Sequence, residues 1–232
     1  MTSTKQRLVQ PLRALKRKVL ARPTRPYGAS PAGIRRAEAV IDAFPPDSSP
    51  IRPITHAEFD AMIEVYKYHR KRWGYTGIAL AEATKLITKH GLQNALELGV
   101  PVRPIIAGAD CMDYRVRPQL QPGLPMTIHD ATVVPWPFGD KQYDLFVALQ
   151  VFEHLGDRQP QAFLEVRRIA RHAILSLPID WDLADTTNIH HGITHERVLS
   201  WFAPVVPTRV VIGSRGRLTR LVYVFEDLPA PE

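Results

Sequence analysis

Cysteine is almost absent from this sequence, since Cys111 is the only one among 232 residues. A single cysteine excludes an intrachain disulfide framework and a zinc site built from several cysteines, and it is typical of a reducing compartment. Long apolar runs are also missing, because no stretch reaches the roughly 18–20 residues that a membrane-spanning helix needs. The first residues lack the continuous apolar stretch of a secretory signal. We therefore predict a cytoplasmic protein.

Acidic residues are missing from residues 1–25, which hold eight of the 30 lysines and arginines. The other 207 residues carry 22 basic and 23 acidic side chains, although the formal charge of the whole chain is +7. The chain is therefore a near-neutral body with a basic arm. We predict that this arm makes peripheral contact with an anionic membrane. A nucleic-acid partner is not favoured, because the body itself is not basic.

Proline and helix-capping signals divide the chain. Residues 1–53 hold eight of the 21 prolines, and a short helix is predicted within them over 31–43. Thr55 and Glu58 have the spacing of a capping box, and a helix over 78–90 stops at Gly91. We predict a basic, proline-rich N-terminal extension, a group of N-terminal helices and a larger C-terminal domain, covering residues 1–53, 54–91 and 92–228.

Short apolar runs follow Gly91, and a helical pattern over 161–170 separates the last two of them. Near-continuous apolar strands that alternate with helices indicate a parallel sheet with both faces covered. Residues 208–213 and 218–225 are rich in β-formers and flank a short turn. The fold class predicted is α/β, with a doubly wound, Rossmann-like, mostly parallel sheet and a C-terminal antiparallel hairpin. The predicted parallel strands cover residues 95–98, 109–112, 126–129, 143–150 and 173–178.

Polar residues stand at the carboxyl ends of these strands, where ligands bind to an open parallel sheet. Gly99 ends the first strand and lets backbone approach a ligand closely. Asp113 ends the second, and a carboxylate there can accept hydrogen bonds from two vicinal ribose hydroxyls. Asp130 and Gln150 end the third and fourth. Their shared position predicts one site at this edge of the sheet.

Several motifs around these strand ends resemble those of class I S-adenosylmethionine-dependent methyltransferases, above all the methyltransferase type 11 group. The resemblance covers about residues 92–225, and the stretch from 130 to 155 is its most specific part. It implies the class I methyltransferase fold, methyltransferase activity and S-adenosylmethionine as cofactor. The motifs are Ala95-Leu-Glu-Leu-Gly99, Asp113, His129-Asp-Ala-Thr132, Pro135-Trp-Pro-Phe138, Tyr143-Asp-Leu-Phe146, Val151-Phe-Glu-His-Leu155 and Ile174-Leu-Ser-Leu-Pro178.

The same resemblance implies roles for individual residues along the strand ends. It assigns six of them to the cofactor: Glu97 and Gly99 near its methionine part, Asp113 on the ribose, Asp130 and Ala131 at the adenine, and Gln150 facing the site of methyl transfer. Glu153 and His154 follow on the rim. Sugar-directed relatives sometimes use a divalent metal near the histidines and aspartates that follow the fifth strand. We predict no metal here, because Gly192 and Thr194 indicate that a helix begins only at about residue 195.

The loop after the first strand departs from the family pattern. A Gly-rich loop and a helix are usual there. In this chain Gly99 is followed by Pro101 and Pro104, and no second glycine occurs before Gly108. About ten residues are few for a parallel crossover, so we predict a shortened one. This departure leaves an alternative function open, namely a catalytically inactive binding or scaffold protein with the methyltransferase fold.

An oxygen acceptor is the default for the predicted methyltransferase. The Asn/Asp-Pro-Pro-aromatic motif of amine-directed members is absent, because residues 148–152 read Ala-Leu-Gln-Val-Phe. Cys111 lies within a predicted strand, so it is expected in the core rather than as a nucleophile. We predict O-methylation of a small molecule, sugar or (glyco)lipid. His154 or His191 is the candidate base for the hydroxyl proton.

Overall fold

The computed structural model describes residues 30–43, 49–181, 187–214 and 218–231. The basic arm of residues 1–25 lies outside these ranges, so the predicted membrane contact does as well. Among the described residues, no helix combines the length and the apolar character that crossing a bilayer requires.

Three helices precede the sheet, and their ends follow local capping chemistry. The predicted capping box is confirmed, since Thr55 Oγ1 accepts from the Glu58 N–H while the Glu58 carboxylate accepts from the Thr55 N–H. The long third helix ends at Gly91, whose φ of +63° suits glycine. A 3₁₀ turn over Lys67–Lys71 separates the second helix from the third. The helices are α1 (Pro31–Asp42), α2 (His56–Val65) and α3 (Trp73–His90).

A seven-stranded sheet forms the centre of the molecule, in the order β5-β4-β2-β6-β7-β9-β8. The first five strands in this order are parallel, and β9 is antiparallel to both β7 and β8. The predicted mostly parallel sheet with a C-terminal antiparallel hairpin is therefore confirmed. The strands are β2 (Ala95–Leu98), β4 (Asp110–Asp113), β5 (Met126–Ile128), β6 (Tyr143–Leu149), β7 (Ala170–Pro178), β8 (Arg209–Ser214) and β9 (Arg220–Phe225).

Helices cover both faces of this sheet, and successive strand residues supply the two cores in turn. In β6, Leu145 and Val147 pack with α1 and α3, whereas Phe146 and Ala148 pack on the opposite face. The helices on that second face are α4 (Gln159–Ile169) and α5 (His195–Phe202). This alternation explains why the central strands are apolar along their whole length.

The crossover after β2 is short, as predicted, and holds no helix. Its last part, β3 (Ile106–Ala107), pairs antiparallel with β1 (Arg52–Pro53), which precedes α2. Pro101 and Pro104 cannot donate the backbone hydrogen bonds of a helix, and the segment is too short to hold a full helix as well as two turns. The crossover therefore runs through a series of bends and ends in the two-residue strand β3.

Lys141 ties the end of α4 to the C-terminal segment. Its Nζ atom donates to the carbonyl oxygens of Arg167, Ala170 and Leu228, at 2.7, 2.9 and 2.8 Å. Burial lowers the pKa of Lys141, but the three carbonyl oxygens favour the ammonium form, and two of them lie at the C-terminus of α4.

We expect Lys141→Ala to lower the free energy of unfolding by about 2–4 kcal/mol, because three buried carbonyls lose their donor. Urea denaturation followed by circular dichroism measures this difference. Lys89→Ala is the matched control, because Lys89 is an exposed partner of Glu226, and we expect it to cost under about 1 kcal/mol. Equal losses in the two variants would contradict the role given to Lys141.

Candidate active site

A cavity of about 660 Å³ opens at the carboxyl ends of the parallel strands. Residues that follow β2, β4, β5 and β6 line it, among them Gly99, Asp113, Asp130 and Gln150. A larger hollow of about 750 Å³ lies between α1 and α3, away from these strand ends. We place the candidate site in the first cavity, because ligands of open α/β sheets bind at this edge and because four strand ends supply polar groups there.

The end of β2 shapes the floor of the cavity through Gly99. Its φ is +81°, and a Cβ atom at this position would lie 2.5 Å from a methyl carbon of Val151. Only glycine combines this backbone conformation with so close an approach. Glu97, by contrast, does not line the cavity. One of its carboxyl oxygens accepts from the N–H groups of Ile105 and Ile106, so it holds the crossover from behind.

Asp113 presents a buried carboxylate at the end of β4, and it faces the cavity. Arg117 donates to it from Nε at 3.1 Å and from Nη2 at 3.4 Å, and the Arg115 N–H lies 3.4 Å away. A carboxylate has about four acceptor positions. The Arg117 pair therefore fixes the carboxylate and leaves acceptor capacity for ligand hydroxyls.

Asp130 and Ala131 form the wall next to Asp113. One Asp130 oxygen accepts from the N–H and the hydroxyl of Thr132, at 2.9 and 2.8 Å. These two bonds lower the pKa of Asp130, so its carboxylate is ionised. Ala131 is buried, and Trp136 Nε1 donates to its carbonyl oxygen. An ionised acceptor beside a small apolar surface suits a flat heterocycle with an exocyclic amino group.

Gln150 connects the end of β6 to β7 and β9. Its φ of +58° is uncommon for a residue other than glycine, and such strain is concentrated at functional sites. Its Nε2 atom donates to Ser176 Oγ, and its Oε1 atom accepts from Arg220 Nε, both at 2.9 Å. Gln150 thus faces the cavity, as the resemblance implies, but its side chain is used to hold Arg220.

Glu153 is a buried acid at the wall of the cavity. Its side chain is 0% exposed, and neither carboxyl oxygen has a partner among the described residues. Burial raises the pKa of Glu153 to about 8. The Nε2 atom of His190 lies 3.9 Å from its nearer oxygen. A buried polar group of this kind is rare unless a ligand or a reaction uses it.

His190 stands at the cavity with a defined tautomer. Its ring stacks on Trp181 at 4.7 Å between centroids, and its Nδ1 atom lies 2.9 Å from Asn188 Oδ1. The same Asn188 oxygen accepts the backbone N–H of His190 at 3.0 Å, which fixes the orientation of the amide. Nδ1 therefore carries the ring proton, and Nε2 presents its lone pair toward Glu153.

The two histidines expected as bases lie in different places. His154 lines the cavity, and its ring centroid is 5.8 Å from that of His190. His191 is exposed, does not line the cavity and donates its backbone N–H to Asn188 in a turn. Of these two adjacent histidines, the structure places His190 and not His191 at the cavity. The sequence held no signal for this choice, because the turn alone decides which of two adjacent histidines points inward.

The N-terminal helices and β9 supply cavity residues that sequence reasoning missed. Arg72 precedes α3, Trp181 follows β7, and Arg220 begins β9. The 3₁₀ segment before α3 adds Tyr68 and His69. No motif marks these positions, because they come together only when the sheet has formed.

Glu153, His154 and His190 could also be considered as metal ligands, since one ligand atom from each lies within 4.8 Å of the others. The positive charges of Arg72 and Arg220 act on both Glu153 and His190. Two guanidinium groups whose charges act on this cluster oppose the binding of a divalent cation. We assign no metal to this cluster.

The buried acid makes stability depend on pH. The Glu153 carboxyl has a pKa of about 8 in the folded protein, against 4.5 for the free group. Between these values the folded state holds a proton that the unfolded state releases, so stability falls as pH rises. We expect Glu153→Gln, which is neutral at every pH, to be more stable than wild type at pH 8 by about 1–3 kcal/mol.

Urea titrations of both proteins at pH 5 and pH 8 measure this effect. The difference between wild type and Glu153→Gln should grow from pH 5 to pH 8. Glu64→Gln is the control, because Glu64 is exposed on α2. A Glu153→Gln difference that stays constant with pH would show that this carboxyl does not hold its proton in the folded state.

Comparison with known protein families finds a match to one part of this chain. Residues 108–173 match the family model described as a methyltransferase domain. No curated protein matches the sequence. The family match confirms the resemblance to class I methyltransferases, and with it the predicted enzyme class and S-adenosylmethionine as cofactor.

Solved structures with a similar course of the chain include several methyltransferases. One is a methyltransferase in complex with the Trm112 activator from Haloferax volcanii, at 12% identity and a TM-score of 0.47, with 76% of this chain and 98% of that chain covered. Another is the N-methyltransferase NodS from Bradyrhizobium japonicum, at 17% identity and a TM-score of 0.47, with 71% and 98% covered. A TehB-like S-adenosylmethionine-dependent methyltransferase from Corynebacterium glutamicum has 15% identity, a TM-score of 0.44 and coverages of 74% and 98%.

The residues around the cavity fit this cofactor. Asp113 offers the buried carboxylate that suits a pair of ribose hydroxyls, and Asp130 with Ala131 offers an acceptor beside an apolar wall for the adenine. The shortened crossover keeps its place in the site, since Gly99 and Pro101 both line the cavity. A volume of about 660 Å³ lies within the range of small-molecule sites.

Proposed function

We propose that this S-adenosylmethionine-dependent methyltransferase transfers the methyl group to an oxygen atom of a small molecule, sugar or (glyco)lipid. The observation that carries the proposal is the unprotonated Nε2 atom of His190, at a cavity wall shared with the buried Glu153. An alcohol or phenol must lose its proton during methylation, so a positioned base is the group that such an acceptor needs.

The chain's own groups divide the work of this reaction. S-adenosylmethionine, when bound, supplies a methyl group on a positively charged sulfur. Asp113 and Asp130 would hold its nucleoside part and so fix the direction of the transfer. His190 Nε2 would take the proton that the acceptor hydroxyl loses when it is methylated. Burial lowers the pKa of His190, which keeps the ring neutral before the reaction.

Other acceptor atoms find less support in these residues. Methylation of a pyrimidine carbon needs a nucleophilic thiolate, but Cys111 is buried in β4 and burial raises its pKa to about 12. The position after β6 is occupied by Gln150, Val151 and Phe152, whereas amine-directed members carry an Asn/Asp-Pro-Pro-aromatic motif there. Gln150 itself is engaged by Ser176 and Arg220.

Two measurements test the proposal in order. Calorimetric titration with S-adenosylhomocysteine should show one site per chain, and no binding at millimolar concentration would contradict a working cofactor site. Incubation with S-adenosylmethionine and matched acceptor pairs, such as phenol against aniline, should give methyl ethers from the hydroxyl members. Products methylated only on nitrogen would overturn the assignment to oxygen.

We further propose that the enzyme works in the cytoplasm and is held at anionic membranes through residues 1–25. Eight basic side chains without an acid support this, since each contributes up to about 1 kcal/mol near such a surface. Sedimentation with phosphatidylserine-containing vesicles should pull down the full chain and not a variant without residues 1–25. Equal sedimentation of the two proteins would refute the contact.

A further inference from the structure

We propose that Arg220 binds an anionic group of the methyl acceptor, a carboxylate or a phosphate, so that the natural acceptor is a negatively charged molecule. This inference rests on the proposed function, since it names the substrate class of the same site.

The Arg220 guanidinium is held in place by neighbours that include no acidic side chain among the described residues. It lies 4.9 Å from the ring centre of Tyr75 and 4.8 Å from that of Trp181. Its Nε atom donates to Gln150 Oε1 and its Nη1 atom to the carbonyl oxygen of Leu218. These bonds use two of the five N–H donors, and three have no acceptor among the described residues.

Such an arrangement is preorganised for an oxyanion. The aromatic rings and Gln150 restrict the rotation of the side chain, so little conformational entropy is lost when a ligand binds. A guanidinium group offers parallel N–H donors that match the two oxygens of a carboxylate or phosphate. Arg220 lines the cavity, so its unused donors are available to a ligand there.

None of the described carboxylates compensates the positive charge at this end of the cavity. Arg220 and Arg72 form no ion pair with the described acidic residues, whereas Arg117 at the opposite end is paired with Asp113. Arg72 lies over the Tyr68 ring at 3.8 Å and donates to Tyr75, and its charge acts on Arg220. Two unpaired guanidinium groups in one partly buried cavity produce a positive potential that attracts anions.

Glu153, the described acid whose charge acts on Arg220, does not cancel this potential. It makes no hydrogen bond to either arginine, and its raised pKa of about 8 keeps it protonated at neutral pH. A protonated carboxyl carries no charge that would repel an anion bound at Arg220. The positive end of the cavity also lies beside His190, the proposed base, so an anion on Arg220 would orient a nearby hydroxyl toward that base.

Binding of simple anions in the presence of S-adenosylhomocysteine tests this inference. Benzoate and inorganic phosphate are titrated separately by calorimetry, and benzamide serves as the uncharged analogue of benzoate. We expect one of the anions to bind with a Kd below about 10 mM and benzamide to bind at least about tenfold more weakly than benzoate. Comparing benzoate with phosphate tells which anionic group the site prefers.

Variants assign the binding to Arg220. Arg220→Gln should weaken the preferred anion at least about tenfold, while the affinity for S-adenosylhomocysteine changes less than about threefold. Arg220→Lys, which keeps the charge and loses the paired donors, should recover part of the affinity. Arg197→Gln is the matched control, because Arg197 also lies near an aromatic ring, that of Trp201, but outside this cavity.

Several results would overturn the inference. They are equal binding of benzoate and benzamide, failure of both anions to bind by about 10 mM, unchanged anion affinity in Arg220→Gln, and anion binding that requires added Mg²⁺. Loss of S-adenosylhomocysteine binding in a folded Arg220→Gln would assign the guanidinium to the cofactor instead. If wild type does not bind S-adenosylhomocysteine, the proposed function fails, and the anion titration without it still reports on Arg220.

Discussion

Replacing His190 with alanine is expected to slow methyl transfer by about 10²–10⁴-fold, the range typical for removal of a general base. Asn188 fixes the ring tautomer so that Nε2 carries the lone pair, and Trp181 holds the ring plane. Without this group the acceptor must lose its proton to water, which is a weaker and unpositioned base. The rate of S-adenosylhomocysteine release with a hydroxyl acceptor measures the effect.

The pH profile separates a base from a purely structural histidine. Burial, His154, Arg220 and Arg72 all lower the pKa of His190, so the ring is protonated only below its ordinary range near 6.5. The rate should therefore fall with an acidic midpoint below about 6.5 in wild type. This acidic limb should disappear in His190→Ala, and the residual rate should not depend on that ionisation.

His191→Ala is the matched control for this prediction. It removes an adjacent, exposed imidazole that does not line the cavity, so we expect a rate within about twofold of wild type. His154→Ala completes the series, because burial and Arg117 lower the pKa of His154 as well. A large loss in His154→Ala with wild-type rates in His190→Ala would move the base to His154. Unchanged turnover in both variants would reject a histidine base.

Replacing Asp113 with alanine is expected to weaken S-adenosylhomocysteine binding by about 10²-fold or more, because up to two charge-assisted hydrogen bonds to the ribose are lost. The Asp113 carboxylate is 2% exposed and is held in place by Arg117. We therefore expect no other acidic group of the cavity wall to take over its hydrogen bonds to the ribose. Calorimetric titration of wild type and variant measures the change in Kd.

Asp113→Ala also leaves Arg117 without its partner, so the effect of this unpaired charge must be separated from the loss of the ribose contact. Asp113→Ala with Arg117→Ala removes both charges and should bind S-adenosylhomocysteine as weakly as the single variant. Asp110→Asn changes the other end of β4, where the carboxylate accepts from Tyr143, and should leave the cofactor affinity unchanged. Wild-type affinity in a folded Asp113→Ala would place the ribose elsewhere in the cavity.

The strands of this fold could be predicted because they are both apolar and bounded by local signals. β2 runs from 95 to 98 as predicted, since four buried residues precede a glycine that cannot continue the pattern. Local signals also predict the helix over Pro31–Asp42 and the capping box at Thr55. The break of the N-terminal helices at Lys67–Lys71 was not predicted, because apolar spacing alone does not distinguish a 3₁₀ turn from a continuing helix.

Local patterns are sufficient to specify which residues stand at the carboxyl ends of the parallel strands. Asp113, Asp130 and Gln150 follow directly from where the apolar runs stop, and parallel strands bring such ends to one edge. The resemblance, and not this reasoning, assigns Glu97 to the cofactor. In the structure its carboxyl accepts from the crossover and does not line the cavity, because alternate strand residues point to opposite faces.

The residues that stand opposite those strand ends are brought there by contacts between distant parts of the sequence. Arg72 and Arg220 are 148 positions apart in the sequence, and they share the cavity because β9 pairs antiparallel with β7 and so begins at the edge where β7 ends. The choice of His190 over His191 depends on one turn and its bonds to Asn188. Strand ends are encoded locally. The groups that face them come from elements that contact one another only when the sheet has formed, and no local pattern specifies those contacts.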